Sequence, residues 1–157
     1  MKTDRLFRND RESDRLIQKY RKADLEEIVR IWYEASVIGH SFVPASYWAS
    51  QKNAMKERYL PLAENFVFKE DRQIAGFLSL VGERVCALFV APEMQGRGIG
   101  RTLLECAKTQ KKKLSLKVYR ENESAFRFYK KCEFIAAGEE VDEYTGHIQI
   151  LMEWNKF

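Results

Sequence analysis

Gln95-Gly96-Arg97-Gly98-Ile99-Gly100-Arg101 follows the apolar run 85–90 and opens the helix-like segment 102–108. A strand, a glycine-rich turn and a helix start, in that order, make an anion cradle. Glycine lets the backbone approach a phosphate closely, and the first N–H groups of a helix have no intrahelical partner, so they can be aimed at a pyrophosphate. Arg97 and Arg101 add positive charge at the same place. An ordinary tight loop would use the same glycines, so the surrounding residues decide which ligand the turn suits.

A Walker loop needs Gly-x-x-x-x-Gly-Lys-Ser/Thr, with the lysine on the terminal phosphates and the hydroxyl on magnesium. Here Arg101 and Thr102 follow Gly100, and Gln95 stands where the first glycine should be. A dinucleotide fingerprint, Gly-x-Gly-x-x-Gly, fails at Arg101, and its turn should begin at the strand end, whereas residues 91–94 intervene. Glu121, about 20 residues downstream, keeps a Rossmann-type nucleotide module as an alternative. What remains is Gln-x-x-Gly-x-Gly after a strand ending in Val90-Ala91-Pro92.

That pattern resembles the acetyl-CoA loop of the GNAT superfamily of N-acetyltransferases. Asn122, Ala125, Phe128, Tyr129 and Phe134 resemble the family's second block, Asn-x-x-Ala-x-x-x-Tyr-x-x-x-Gly-Phe. Residues 16–32 are similar to its first strand and helix, with Asp24 near the helix start. Residues 32–48, including Gly39-His40-Ser41-Phe42, are similar to the substrate-side segment of small single-domain bacterial members. The resemblance covers about 140 residues, the size of one domain.

Hydrophobic spacing read along the chain agrees with such a domain. Residues 1–15 form a charged extension, and 16–157 the domain proper. A short strand over 16–20 precedes a helix over 23–36, in which Leu25, Ile28, Val29 and Trp32 recur at helical spacing. Residues 37–46 read as a loop, and 47–60 as a second helix stopped by Pro61. Strands at 66–68, 74–81 and 85–90 form a meander with turns at Asp71-Arg72 and Gly82-Glu83-Arg84. After the glycine turn come a helix, a strand over 114–118, a helix over 123–131, and strands near 134–141 and 149–154. The strand-helix-strand crossover makes the strands at 85 and 114 parallel, so the fold class is mixed α/β: a mostly antiparallel sheet flanked by helices. The resemblance implies that this parallel pair splays.

Bulk composition excludes more than it selects. The chain has 157 residues, 45% hydrophobic and 32% charged, as in a globular domain that buries its own core. A net charge of +4, from 27 basic and 23 acidic residues, is too mild to argue for nucleic acid, which is not expected as a partner, while the basic residues could help an anionic cofactor approach. Cys86, Cys106 and Cys132 are scattered, which reads as packed, reduced thiols, and with two histidines they match no zinc spacing. No export leader or run of about 18 apolar residues is visible, so the expected compartment is the cytoplasm and no membrane partner is expected.

The resemblance then implies an acetyl-CoA-dependent transfer of acetyl directly to a primary amine, of a small molecule or a protein lysine, in a ternary complex without metal. A non-catalytic acyl-CoA sensor is the other reading it leaves open, as is a second copy of the chain as partner. Leu88, Phe89 and Val90 would pair with pantetheine, Gln95, Gly96, Arg97, Gly98, Ile99, Gly100 and Arg101 would hold the pyrophosphate, and Asn122 would lie by the pantetheine arm. Tyr129 would protonate the departing thiolate, a general-acid task suited to a phenol. For the base, some members carry a glutamate on the strand that here has Lys117, and others carry one where this chain has Arg84 beside Glu83. Glu83 is the first candidate, ahead of His40 and Glu143. His40, Phe42 and Glu143 are expected to meet the acceptor, between segments 37–46 and 139–147. Glu133 replaces the usual left-handed glycine, so the helix before Phe134 should be strained by about 1–2 kcal/mol or end differently.

Overall fold

The computed structural model describes residues 15–156. The charged extension lies outside the described residues except for Arg15, which opens the first strand. Seven strands form one sheet: β1 (Arg15–Lys19), β2 (Glu64–Glu70), β3 (Gln73–Val81), β4 (Arg84–Val90), β5 (Lys113–Tyr119), β6 (Ile135–Val141) and β7 (Ile148–Asn155). Their spatial order is β1-β2-β3-β4-β5-β7-β6. Every neighbouring pair is antiparallel except β4 and β5, which run parallel.

Side chains alternate between two cores, as the twofold period of a strand demands. Phe66, Phe68, Leu78 and Leu80 face one core, packed under α4 (Ile99–Gln110) and α5 (Glu123–Lys131). Val67, Phe77 and Ala87 face the other, covered by α1 (Leu25–Gly39) and α2 (Ala45–Ser50). Helix α1 buries Ile28, Val29, Ile31, Trp32 and Ala35, the stripe its 3.6-residue period predicts.

The second core departs from expectation in its helices. Helix α1 continues to Gly39, so the link before α2 is short, and Pro44 caps α2 at Ala45. The single helix expected over 47–60 is instead segmented. After α2 comes a segmented helix, α3, made of a helical turn at Lys52–Ala54, a π turn at Met55–Tyr59 and a final turn at Leu60–Leu62 that contains Pro61. Proline lacks an N–H and crowds the carbonyl four residues back, and the wider turn, in which Leu60 N–H donates to the Met55 carbonyl, accommodates it. Asn65 anchors this end by donating to the Leu60 carbonyl at 2.7 Å and accepting from Ser79 Oγ at 2.6 Å.

The opening that matters for function is between β4 and β5. Ser79 pairs with Ala87 and Leu80 with Val85, so Cys86 is an extra residue in β4. Such a bulge bends the strand. It also leaves Cys86 exposed, against the expectation that all three thiols pack; Cys106 and Cys132 are buried. Beyond the bulge the two parallel strands part: Arg84 and Ser115 are their only registered pair. The β5-facing edge of Leu88–Val90 therefore has no strand partner among the described residues. Its other edge is paired to Gly76, Phe77 and Leu78 of β3.

Candidate active site

On the α4 side of this opening the glycine turn has the form of an anion cradle. The helix begins at Ile99, three residues earlier than expected, with Gly98 as its cap in the left-handed region at φ 81°. Gly96 is also left-handed, at φ 82°, and a Cβ at either position would meet nothing within 4 Å, so the turn faces open space. The first bond within the helix runs from Thr102 N–H to the Gly98 carbonyl, at 3.0 Å, so the N–H groups of Ile99, Gly100 and Arg101 have no acceptor within the helix. Gln95 ties the turn to the strand end, its side chain donating to the Val90 carbonyl at 3.1 Å. Arg97 is exposed, 3.8 Å from Glu70. Gly100 lies under α5, where a Cβ would come within 3.4 Å of the Phe128 ring.

Helix α5 carries Tyr129, whose ring contacts Phe128 and Phe134 with centroids 5.2 and 5.8 Å away. Burial of the phenol pushes its pKa well above the ordinary value, so it stays protonated at neutral pH. Asn122 caps this helix, its side-chain oxygen accepting from Ala125 N–H at 3.2 Å. The other end keeps the left-handed geometry that a glycine usually supplies: Glu133 has φ 72°, and Phe134 N–H donates to the Tyr129 carbonyl at 3.0 Å. The helix end is therefore strained and not rearranged. Buried Lys108 offsets part of that cost by donating to the Cys132 carbonyl at 2.6 Å.

The opposite face holds a cluster of rings. His40, in the link between α1 and α2, lies 5.8 Å from Phe42, 5.3 Å from Trp48 and 5.0 Å from Tyr119 at the end of β5. Phe42 in turn lies 5.4 Å from Tyr119 and 4.9 Å from His147, just before β7. Among the described residues, Ser36 Oγ, His40 Nδ1 and Trp48 Nε1 are buried polar atoms without a hydrogen-bond partner. Desolvation holds the His40 pKa down to about 4, so its ring is neutral at physiological pH.

Carboxylates stand beside the rings. Tyr119 donates to Asp142 Oδ2 at 2.5 Å, and Thr145 Oγ1 donates to the same oxygen at 2.9 Å. Burial alone would raise the Asp142 pKa, but these hydrogen bonds outweigh it and hold the carboxyl below its ordinary value. Burial, and then the bond to Asp142, push the Tyr119 phenol well above its own. His147 Nδ1 lies 2.5 Å from Glu121 Oε1.

Segments 37–46 and 139–147 thus meet, with His40 and Phe42 at the junction. Glu143 is exposed, one residue beyond the carboxylate that joins the cluster. Glu83 stands apart. It lies in the turn before β4, about half exposed, 4.0 Å from Lys113, with its carbonyl accepting from Ser115 N–H at 2.9 Å. There it lines a separate cleft of about 340 Å³ with Ser115, Glu153 and Trp154, at the closed end of the β4–β5 pair. Five residues of extended chain, about 17 Å, separate it from Leu88. Lys117 is paired with Glu140. Sequence reading did not find Tyr119 or Asp142, and took Glu121 only for a ribose acid. The one available signal was an aromatic residue at the end of the strand that precedes Asn122.

Among the described residues no group of His, Cys, Asp and Glu could hold a metal ion, and no helix is long and apolar enough to cross a membrane.

The profile of the acetyltransferase (GNAT) domain matches residues 15–155. The chain is 35% identical over 115 residues to the peptidyl-lysine N-acetyltransferase YiaC of Escherichia coli, covering 73% of this chain and 79% of YiaC. It is 36% identical over 129 residues to the peptidyl-lysine N-acetyltransferase YjaB of the same organism, covering 81% and 87%. The solution structure of apo YjaB superposes with a TM-score of 0.80 at 31% identity, over 91% of this chain and 99% of that one. The fold is shared with the PaiA N-acetyltransferase of Thermoplasma acidophilum, solved in complex with coenzyme A, at a TM-score of 0.75 and 24% identity, over 90% and 98% of the two chains.

Proposed function

The chain belongs to the GNAT acetyltransferase family, and from that premise we propose that the amine it acetylates is the side chain of a protein lysine. The enzyme takes acetyl from acetyl-CoA and gives it to a primary amine. The observation that carries the narrower reading is the ring cluster of His40, Phe42, Trp48 and Tyr119, bordered by Asp142 and Glu121. Aromatic walls suit a four-carbon alkyl stem, and carboxylates suit its cationic head. The two relatives named peptidyl-lysine N-acetyltransferases support the same acceptor.

In this reading the two substrates approach from opposite faces of the sheet. The free N–H groups at the start of α4, with Arg97 and Arg101, take the pyrophosphate. The unpaired edge of Leu88–Val90 takes the pantetheine arm, and a β4 N–H polarises the thioester carbonyl as negative charge develops on its oxygen. Asn122 orients the helix that carries Tyr129, and Tyr129 donates its proton to the departing sulfur. The acceptor enters past Phe42 and His40, so its nitrogen reaches the carbonyl from the α1 side.

Thiol release measured with acetyl-CoA and a panel of acceptors tests the choice. A capped lysine peptide should give a higher kcat/KM than a polyamine or a peptide with a free N-terminus. Preference for either of the latter would move the acceptor class.

A further inference from the structure

The pair formed by His147 and Glu121 takes no part in the proton transfer assigned to Tyr129 above. His147 is the last residue before β7, and its backbone is held on both sides: Asp142 N–H donates to its carbonyl at 2.9 Å, and its own N–H donates to Thr145 Oγ1 at 3.3 Å. Its ring lies against Phe42, with centroids 4.9 Å apart. The side chain keeps 27% of its surface open. Glu121 sits in the link between β5 and α5, where Asn122 N–H closes a turn onto the Tyr119 carbonyl at 2.9 Å. Two segments separated by 26 residues are thus brought together at the rim of the ring cluster.

This geometry fixes the imidazole chemically. Nδ1 is committed to the Glu121 carboxylate at 2.5 Å. In the neutral ring with Nδ1 donating to Glu121, Nε2 presents a lone pair, the tautomer that a carboxylate-oriented imidazole base requires. A lysine ammonium, with an ordinary pKa near 10.4, is neutral in only about one molecule in 2,500 at pH 7. A base at the rim of the ring cluster gives that proton an acceptor, which neither the cradle nor Tyr129 supplies.

We infer that the His147–Glu121 pair takes the proton the acceptor ammonium must lose before attack. This rests on the amine-acetyltransferase reading. One N–H bond of the ammonium breaks and a bond from Nε2 to that proton forms, leaving a neutral amine and an imidazolium balanced by Glu121. The amine nitrogen then bonds to the acetyl carbon and the C–S bond breaks. Tyr129 gives its proton to the sulfur and is reprotonated by the proton the new amide nitrogen sheds. The proton on His147 leaves to solvent across its open side. The other polar and charged groups beside the pair are Asp142 and Thr145 of the β6–β7 turn, which hydrogen-bond the His147 backbone, and Arg120, next to Glu121 in the chain and matched by Glu139 at 3.6 Å.

The test is kcat/KM for a capped lysine peptide from pH 6 to 10 in wild type, His147→Gln and Glu121→Gln, with acetyl-CoA affinity measured alongside. His147→Gln should lose about 100-fold at pH 7, and the deficit should shrink to within about threefold by pH 10, where the free amine is abundant without help. Glu121→Gln should show the same pH-dependent recovery from a smaller loss of about tenfold, and it decides the matter if His147→Gln does not fold. Acetyl-CoA affinity should not change. A deficit of equal size at every pH, or none, overturns the inference while the acetyltransferase reading stands. A wild-type enzyme that releases no thiol with any amine overturns both.

Discussion

The two sides of the β4–β5 opening are built in opposite ways. The α4 side consists of consecutive residues: Gln95 to Arg101 supply backbone donors, two left-handed glycines and two arginines within one turn. The other side is assembled from side chains at 40–48, 119–121 and 142–147, which meet only once β5, β7 and β6 have paired. In the proposed function a common cofactor is gripped by backbone geometry, and a variable acceptor by side chains. The first surface tolerates little change in a few positions. The second can be altered residue by residue without disturbing the first.

The largest expected effect breaks the cradle. Gly98→Glu puts a side chain and a negative charge where the anion belongs and forces a non-glycine residue to φ 81°. At ligand 100 times its dissociation constant, acetyl-CoA should stabilise wild type by about 2.7 kcal/mol, seen as a rise in Tm. The variant should show no rise.

Tyr129→Phe separates chemistry from binding on the same side. It keeps the ring contacts with Phe128 and Phe134 and removes the proton donor. Turnover should fall by about 100-fold to 10,000-fold with acetyl-CoA affinity almost unchanged. A loss below threefold would assign the proton to another donor.

A stability effect marks the acceptor side. His40 is neutral when folded, its pKa held to about 4, whereas the unfolded imidazole titrates near 6.5. Below pH 6.5 the unfolded chain binds a proton that the folded one refuses. The stability is therefore complete above pH 6.5 and declines as pH falls toward 4, by about 3 kcal/mol in all. Chemical denaturation from pH 7 to 4 should show this slope in wild type and lose most of it in His40→Phe.

The same contrast decides what the sequence makes legible. The sheet, its parallel pair, the turn at Asp71-Arg72 and the cradle all rest on local patterns: twofold alternation, left-handed positions at φ 51° and 68°, and glycines before a helix. The segmented helix over 45–62 was missed because a proline usually ends a helix, and here a π turn accommodates it. At Glu133 the left-handed geometry is kept at φ 72°, beside a Cys132 carbonyl that accepts from Lys108, 24 residues before Cys132 in sequence, a contact that no local reading could supply. The cluster that joins Asp142, Glu121 and His147 is illegible in the sequence for a similar reason. Each is an unremarkable polar residue in a turn until strand pairing sets it beside Tyr119 and Phe42. Glu83 is a candidate by its place beside the cofactor strand, and the bulge at Cys86, which opens the pair beyond it, sets it at the closed end.

The central claim is that the two ligands occupy opposite faces of one opening and are recognised independently. Phe42→Ala tests it most directly, because Phe42 touches His40, Tyr119 and His147 and lies on the face away from the cradle. The measurement is the acceptor KM together with the acetyl-CoA dissociation constant in the same variant. The acceptor KM should rise about tenfold, from the loss of one aromatic wall, with the acetyl-CoA constant within twofold of wild type. A weakened acetyl-CoA complex with unchanged acceptor kinetics would contradict it.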